Sequence, residues 1–229
     1  MLIAAAVVPH PPVLVPQIAQ GMAADLDTLR AACDTAISRL YAAGADELLI
    51  VGAGPSASLE VSAHGSFHAY GLDLAVDGRW GPDTAGAVPM TLPFLIAAWL
   101  LRDRPTAPAR RPAMVGEGGG VPPVGTGARQ AMLVLGDGSA SRTPQAPGHF
   151  DERAEPYDLA VARALATADT KALAGLDPEL SRRLHVAGLP AWRVLAGAAE
   201  ASGVEYDAEL LYDEAPYGVG YFVATWLAH

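Results

Sequence analysis

The sequence predicts an α/β fold: a single domain with a mixed, mainly parallel central sheet and helices on both faces. Three apolar runs, residues 2–8, 47–51 and 130–135, are rich in aliphatic and β-branched side chains, which is typical of buried strands. A segment with helical spacing separates the first two runs, and this β-α-β order implies a parallel pair with a right-handed crossover. Each run ends in a turn that contains glycine or proline.

The amino-terminal half begins with the strand at residues 2–8, which has no polar face. The helix predicted over residues 22–43 repeats apolar side chains at helical spacing, among them Leu26, Leu29 and Ile37. The next predicted elements are a strand over residues 47–51, a strand over residues 72–76, and an apolar helix over residues 94–102 with Pro93 near its start.

The segment over residues 103–128 is rich in Pro, Gly, Ala and Arg and lacks a hydrophobic period, so we expect a flexible surface loop. The strand at residues 130–135 follows it. The remaining predicted elements are helices over residues 151–167, 177–186 and 190–201 and strands over residues 204–211 and 217–225. Because the last strands contain too little chain for a second domain, residues 1–229 are expected to form one domain.

Composition limits the classes of partner. The formal net charge is −10 and the pI is about 4.9, which argues against nucleic acid and anionic membranes. No apolar run approaches the roughly 18 residues that a membrane span needs. The sequence has one cysteine, Cys33, and no basic amino-terminal region, so we expect no internal disulfide and a cytoplasmic location.

The turn after the first strand contains His10, in the sequence Pro9-His10-Pro11-Pro12. The flanking prolines fix φ and push the preceding residue out of the helical region, which holds the imidazole rigidly at a strand end. Open α/β sheets bind ligands at such strand ends. A metal ligand, an acid/base group and a structural histidine that hydrogen-bonds the turn are all open interpretations of His10.

The turn after the second strand, residues 52–57, formally matches the dinucleotide fingerprint G-x-G-x-x-A. That fingerprint needs a helix directly after it, whose N-terminus meets the pyrophosphate. Because Pro55 and residues 56–65 do not have a helical pattern, a tight turn is favoured over nucleotide binding. Ser56 in this turn is a candidate ligand-binding residue.

The turn after the third strand reads Gly-Asp-Gly-Ser-Ala-Ser-Arg over residues 136–142. It offers a carboxylate at Asp137, hydroxyls at Ser139 and Ser141, and a guanidinium at Arg142. It is not a G-x-S-x-G elbow, so a nucleophilic serine hydrolase is poorly supported. A polar turn in which Asp137 and Ser139 cap backbone amides is the structural alternative.

Two further pairs of positions have weaker signals. His64 and His68 are four residues apart, the spacing of two metal ligands on one helix face, but Gly65 lies between them and surface residues are favoured. Asp213 and Glu214 lie between the last two strands, where an exposed turn is the simpler interpretation.

Taken in order, these segments resemble the class III extradiol ring-cleavage dioxygenases, a superfamily that includes the beta chain of protocatechuate 4,5-dioxygenase, the dihydroxyphenylalanine dioxygenases and the Memo-like proteins. Residues 6–16, AVVPHPPVLVP, resemble its first strand and first metal histidine, and residues 49–56, LIVGAGPS, resemble the second strand and its turn. Residues 136–141 followed by Phe150-Asp151 resemble a later loop and helix start, and residues 192–199 resemble a helix near the C-terminus.

The resemblance implies Fe(II) held by two histidines and one carboxylate, with a further histidine as the acid/base group. His10 matches the first ligand. The second histidine corresponds to Ala57, the acid/base histidine to Arg142, and the carboxylate falls at residues 187–189, Ala-Gly-Leu. One imidazole cannot hold Fe(II) at useful affinity, so we expect a degenerate iron site, no bound metal and no cofactor.

The leading hypothesis is a dioxygenase-like protein that binds a small anionic or aromatic ligand in the ancestral cleft, through the residues His10, Ser56, Asp137, Ser139 and Arg142. The first alternative is an active Fe(II)-dependent ring-cleavage dioxygenase with a rearranged site, which takes its ligands from His10 with His64, His68, Asp137 or Glu214. The second alternative is a protein-interaction module that uses the 103–128 loop. A homo-oligomer is compatible with all three.

Overall fold

The computed structural model describes residues 1–55, 60–83, 86–116 and 128–229. Its strands are β1 (Leu2–Val8), β2 (Glu47–Ala53), β3 (His64–Ser66), β4 (Ala75–Asp77), β5 (Ala109–Val115), β6 (Gln130–Leu135), β7 (Tyr206–Glu214) and β8 (Tyr221–Ala228). Its α-helices are α1 (Pro16–Ala19), α2 (Asp27–Ala42), α3 (Leu92–Leu100), α4 (Ala154–Ala166), α5 (Thr170–Ala174), α6 (Pro178–Arg183) and α7 (Leu189–Ser202).

The described residues form a six-stranded sheet in the order β5-β2-β6-β1-β8-β7. Strands β5, β2, β6 and β1 pair in parallel, whereas β8 pairs antiparallel with both β1 and β7. The predicted mixed, mainly parallel α/β sheet is therefore confirmed. Strands β3 and β4 form a separate antiparallel pair.

Helices cover both faces of this sheet, and alternate residues of β1 pack against the helices on opposite faces. Ala6 and Val8 pack into the core beneath α2 and α3, whereas Ala5 and Val7 pack into the core beneath α4, α5 and α7. Because both faces are buried, the central strands are apolar throughout, as the sequence predicted. Within the described residues, no helix is long and apolar enough to cross a membrane.

The sequence prediction of a loop over residues 103–128 is wrong for residues 109–115, which form β5 at the edge of the sheet. Pro112 has no N–H to donate, and an edge strand tolerates this. The two arginines that suggested a solvated loop have tertiary partners: Arg110 donates to the carbonyls of Gly78 and Leu101, and Arg111 pairs with Glu47 at 2.8 Å. Residues 117–127 of the predicted loop lie outside the described residues.

Other element boundaries also differ from prediction. The helix predicted over residues 22–43 begins at Asp27, because residues 20–26 form a 3₁₀ turn. The strand predicted over residues 217–225 begins at Tyr221, and β7 extends to Glu214. Asp213 and Glu214 are therefore the last residues of β7 rather than the turn after it.

Candidate functional site

The carboxyl ends of β1 and β6 lie side by side and bring His10 and Asp137 together. The backbone N–H of His10 donates to Oδ1 of Asp137 over 2.7 Å, and the ring nitrogen Nδ1 of His10 lies 3.6 Å from the same oxygen. His10 is 5% exposed, and its Nδ1 has no hydrogen-bond partner among the described residues. The sequence predicted that these turns share one edge, and the structure places them in contact.

Buried polar groups surround this pair on the side of the sheet that α2 covers. Burial raises the pKa of the Asp137 carboxyl above its usual range, and the neighbouring His10 only partly offsets the effect. Burial and the charge of Asp137 also raise the pKa of Tyr221. Burial raises the pKa of the Cys33 thiol as well, so Cys33 is an inert buried group rather than a reactive one.

Ser139 and Arg142 form a second cluster, centred on Asp158 of α4. The backbone N–H and the hydroxyl of Ser139 donate to the Asp158 carboxylate over 2.8 and 2.7 Å. Arg142 donates to Asp158 over 3.3 Å and to Glu155 over 3.2 Å. Ser139 is fully buried, so in this structure its hydroxyl holds the loop onto α4.

The loop over residues 136–142 also forms a wall against the segment between α6 and α7. The carbonyl of Asp137 accepts the N–H of Gly188 over 2.9 Å, and the N–H of Ala140 donates to Leu184 over 2.8 Å. A Cβ on Gly136 would lie 2.5 Å from the Cα of Gly188, so this close approach requires glycine.

A cleft of about 800 Å³ lies directly beyond that segment, at the carboxyl ends of β2 and β5. Its volume lies in the upper part of the roughly 300–1,000 Å³ range of small-molecule sites. Its described lining is formed by the residues Ala53, Gly54, Val115, Asp177, Pro178, Glu179, Ser181, Arg182, His185, Val186, Ala187, Leu189 and Pro190. The cleft is thus mainly apolar, with polar groups contributed by α6 and the turn after it.

Two carboxylates in the lining already have hydrogen-bond donors. Asp177 caps the N-terminus of α6 by accepting the N–H groups of Glu179 and Leu180. Glu179 pairs with Arg182 at 2.8 Å and with Arg183 at 3.0 Å.

Of the remaining positions predicted from sequence, Asp213 and Glu214 end β7, which runs parallel to β1, so they lie at this same edge two strands away from β1. Ser56 and Ala57 lie outside the described residues. His64 is exposed on β3, 3.9 Å from Asp77, and His68 is exposed in the 3₁₀ turn that follows. Glu214 accepts the Tyr212 hydroxyl over 3.2 Å.

The donor set does not fit a mononuclear iron centre of the implied kind. Such a centre needs two histidines and a carboxylate, and the described residues place His10 and Asp137 together without a third ligand. No group of three or more His, Cys, Asp or Glu side chains in the described part of the chain is arranged to hold a metal ion. The residues outside the described ranges include one carboxylate, Glu117, and no histidine or cysteine.

Sequence reasoning missed Asp158 and His185. Asp158 lies within a predicted helix, and its one signal was a charged residue at helical spacing from the apolar residues Ala154, Val161 and Ala162. His185 lies two residues after the end of α6 and has a left-handed φ of 56°, a conformation in which glycine is usual, and no sequence pattern marks it.

No protein-family model matches the chain, and no curated protein matches it either. The resemblance to extradiol dioxygenases therefore rests on the sequence motifs alone.

Proposed function

We propose that this protein is a class III extradiol dioxygenase-like protein that binds a small anionic or aromatic ligand without iron, in the cleft at the carboxyl edge of its sheet. The observation that carries the proposal is the position of the cleft. The segment that lines it, through Ala187 and Leu189, is hydrogen-bonded through Gly188 to the loop of Asp137, which holds His10.

General features of α/β folds support this assignment. Ligands in open parallel sheets bind outside the carboxyl ends of the strands. A mainly apolar cleft with a few polar groups is the usual form of a small-molecule site. The cleft described above has both properties, whereas the described residues place no third ligand of the kind iron chemistry needs beside the His10–Asp137 pair.

The proposal includes a cytoplasmic location, because a sequence with a single cysteine, Cys33, forms no internal disulfide that an oxidising compartment would supply. The iron-dependent alternative would need a third ligand near His10, and His64 and His68 are exposed on the separate β3–β4 unit. No described contact favours that alternative.

Titration calorimetry with 2-naphthoate as the probe tests the proposal. We expect saturable binding to the wild-type protein and its loss in Ala187→Trp, whose indole would project into the cleft and obstruct the ligand. Ala31→Trp, on the exposed face of α2, is the matched control and is expected to bind like wild type. Equal binding by all three proteins would place the ligand elsewhere, and no binding by any of them would remove the support for an aromatic-acid site.

A further inference from the structure

The cleft contains an imidazole that has no charged partner among the described residues. His185 lines the cleft, yet the histidine ion pairs in the described part of the chain involve His10, His64 and His229. Its neighbour Arg182 is already paired with Glu179, which also accepts Arg183. His185 is therefore a lining N–H donor with no carboxylate partner among the described residues, whereas the guanidinium of Arg182 is paired with Glu179.

The backbone holds His185 in an unfavourable conformation. Its φ of 56° lies in the left-handed region, where a non-glycine residue costs about 1 kcal/mol relative to glycine. The N–H of His185 donates to the carbonyl of Arg182 over 3.2 Å and fixes this helix end. A glycine would serve the turn better, so the conformation alone does not account for a histidine here.

The loop that follows β6 leaves room for the His185 ring at Gly148. A Cβ on Gly148 would lie 2.7 Å from Nδ1 of His185, so any residue larger than glycine at position 148 would displace the imidazole. Gly148 is in turn held by its N–H, which donates to Ala140 over 2.8 Å. The ring thus occupies a defined place against the loop that follows β6.

We infer that His185 is the anion-recognising residue of this cleft and that the ligand is an amphipathic carboxylate with an apolar body. The inference rests on the proposed function. The apolar body would contact the half-buried side chains of Val186, Ala187 and Pro190, and the carboxylate would accept an N–H from His185. A neutral imidazole and an imidazolium both supply this donor.

The size of the cleft narrows the class of ligand further. At about 800 Å³ it is large for a single ring and suits a fused-ring or chain-bearing acid. An inorganic anion would leave the apolar wall uncovered, so recognition needs both parts of the molecule.

The test compares 2-naphthoate with its neutral isostere 2-naphthamide by titration calorimetry. We expect wild type to bind the carboxylate about tenfold more tightly, the size expected for one charge-assisted hydrogen bond in a partly exposed site. His185→Gly is expected to lose the preference for the carboxylate and to keep its affinity for the amide. Glycine is the chosen replacement because it adopts the left-handed φ of this position without strain. The matched control is His149→Gly, because His149 has a similar φ of 58° and is not among the described lining residues.

Three results are informative. Loss of the carboxylate preference in His185→Gly alone supports the inference. If His185→Gly binds both probes and keeps the preference for the carboxylate, the role of His185 is overturned and the proposed cleft stands. The same conclusion follows if wild type binds both probes equally well. Failure of wild type to bind either probe overturns the cleft and the inference together.

Discussion

His10 and Asp137 join the two central strands of the sheet at their carboxyl ends, through a 2.7 Å bond from the His10 N–H to the Asp137 carboxylate. The two residues are 127 positions apart in the chain, and each follows a buried parallel strand. A rigid proline turn presents the donor and a glycine-flanked turn presents the acceptor. This link fixes the relative position of the two turns, and the carbonyl of Asp137 in turn accepts the N–H of Gly188, which lies between the lining residues Ala187 and Leu189.

Gly136→Ala is expected to destabilise the fold by about 1–3 kcal/mol, the usual cost of overpacking. The added Cβ would lie 2.5 Å from the Cα of Gly188 and 2.8 Å from Nε1 of Trp192. Urea unfolding would measure the loss. Gly21→Ala is the control, because nothing lies within 4 Å of that Cβ. Equal stability of both variants would mean that the close approach of Gly136 and Gly188 is not rigid.

Asp158→Asn is expected to change how stability depends on pH. Burial raises the pKa of the Asp158 carboxyl above its usual value of 3.8, so folding favours its protonated form. The raised pKa of Asp158 therefore stabilises the fold at low pH. This stabilisation is lost as the pH rises from 3.8, the ordinary pKa, through the higher pKa of the folded state. Urea unfolding between about pH 4 and pH 7 should show the stability of the variant rising relative to wild type. A difference that stays constant with pH would contradict the raised pKa.

Arg142→Ala is expected to lower stability by about 1–3 kcal/mol, because the buried Asp158 loses a charged donor. The sequence suggested instead that Arg142 binds an anionic ligand directly, in which case this variant would lose about 1.5–3 kcal/mol of binding free energy. Calorimetry with 2-naphthoate on folded variant protein separates the two roles. Unchanged affinity together with lower stability is the result expected from the contacts with Asp158 and Glu155.

Hydrogen exchange is expected to be slow in β5, at the residues whose N–H groups bond to β2. The register pairs Ala113 with Val51 and Val115 with Ala53 in a parallel ladder. Peptides covering residues 109–115 should exchange more slowly than the preceding turn at residues 103–106. Rapid exchange throughout residues 103–128 would instead favour the loop that the sequence suggested. Rapid exchange of residues 117–127 stays a prediction from composition.

Iron content tests the degenerate site directly. Protein purified anaerobically and supplied with Fe(II) is expected to retain no stoichiometric iron and to show no oxygen uptake with catechol, because the described donor set lacks a third ligand. His10→Ala should leave the metal content at background. One equivalent of bound iron with catechol turnover would overturn the proposal, and variants of His64, His68, Asp137, Glu214 and Glu117 would then identify the ligands.

Local pattern was sufficient for the elements with strong periodicity. The apolar runs at residues 2–8 and 130–135 are β1 and β6 with their predicted boundaries, because burial on both faces leaves no room for polar side chains. It failed for β5, where Arg110, Arg111 and Pro112 look like loop residues. Arg110 is buried by carbonyl partners that lie far from it in sequence, and no local pattern reveals such partners.

The sequence by itself determined the class of sheet and the turn residues at its carboxyl edge, since periodicity and proline or glycine punctuation are local properties of the chain. The tertiary structure decided which of those residues meet. It joined His10 to Asp137, bound Ser139 and Arg142 to Asp158, and brought His185 into a cleft with β2 and β5. These contacts link residues on different elements, so they depend on how helices and strands pack, which local propensity does not specify.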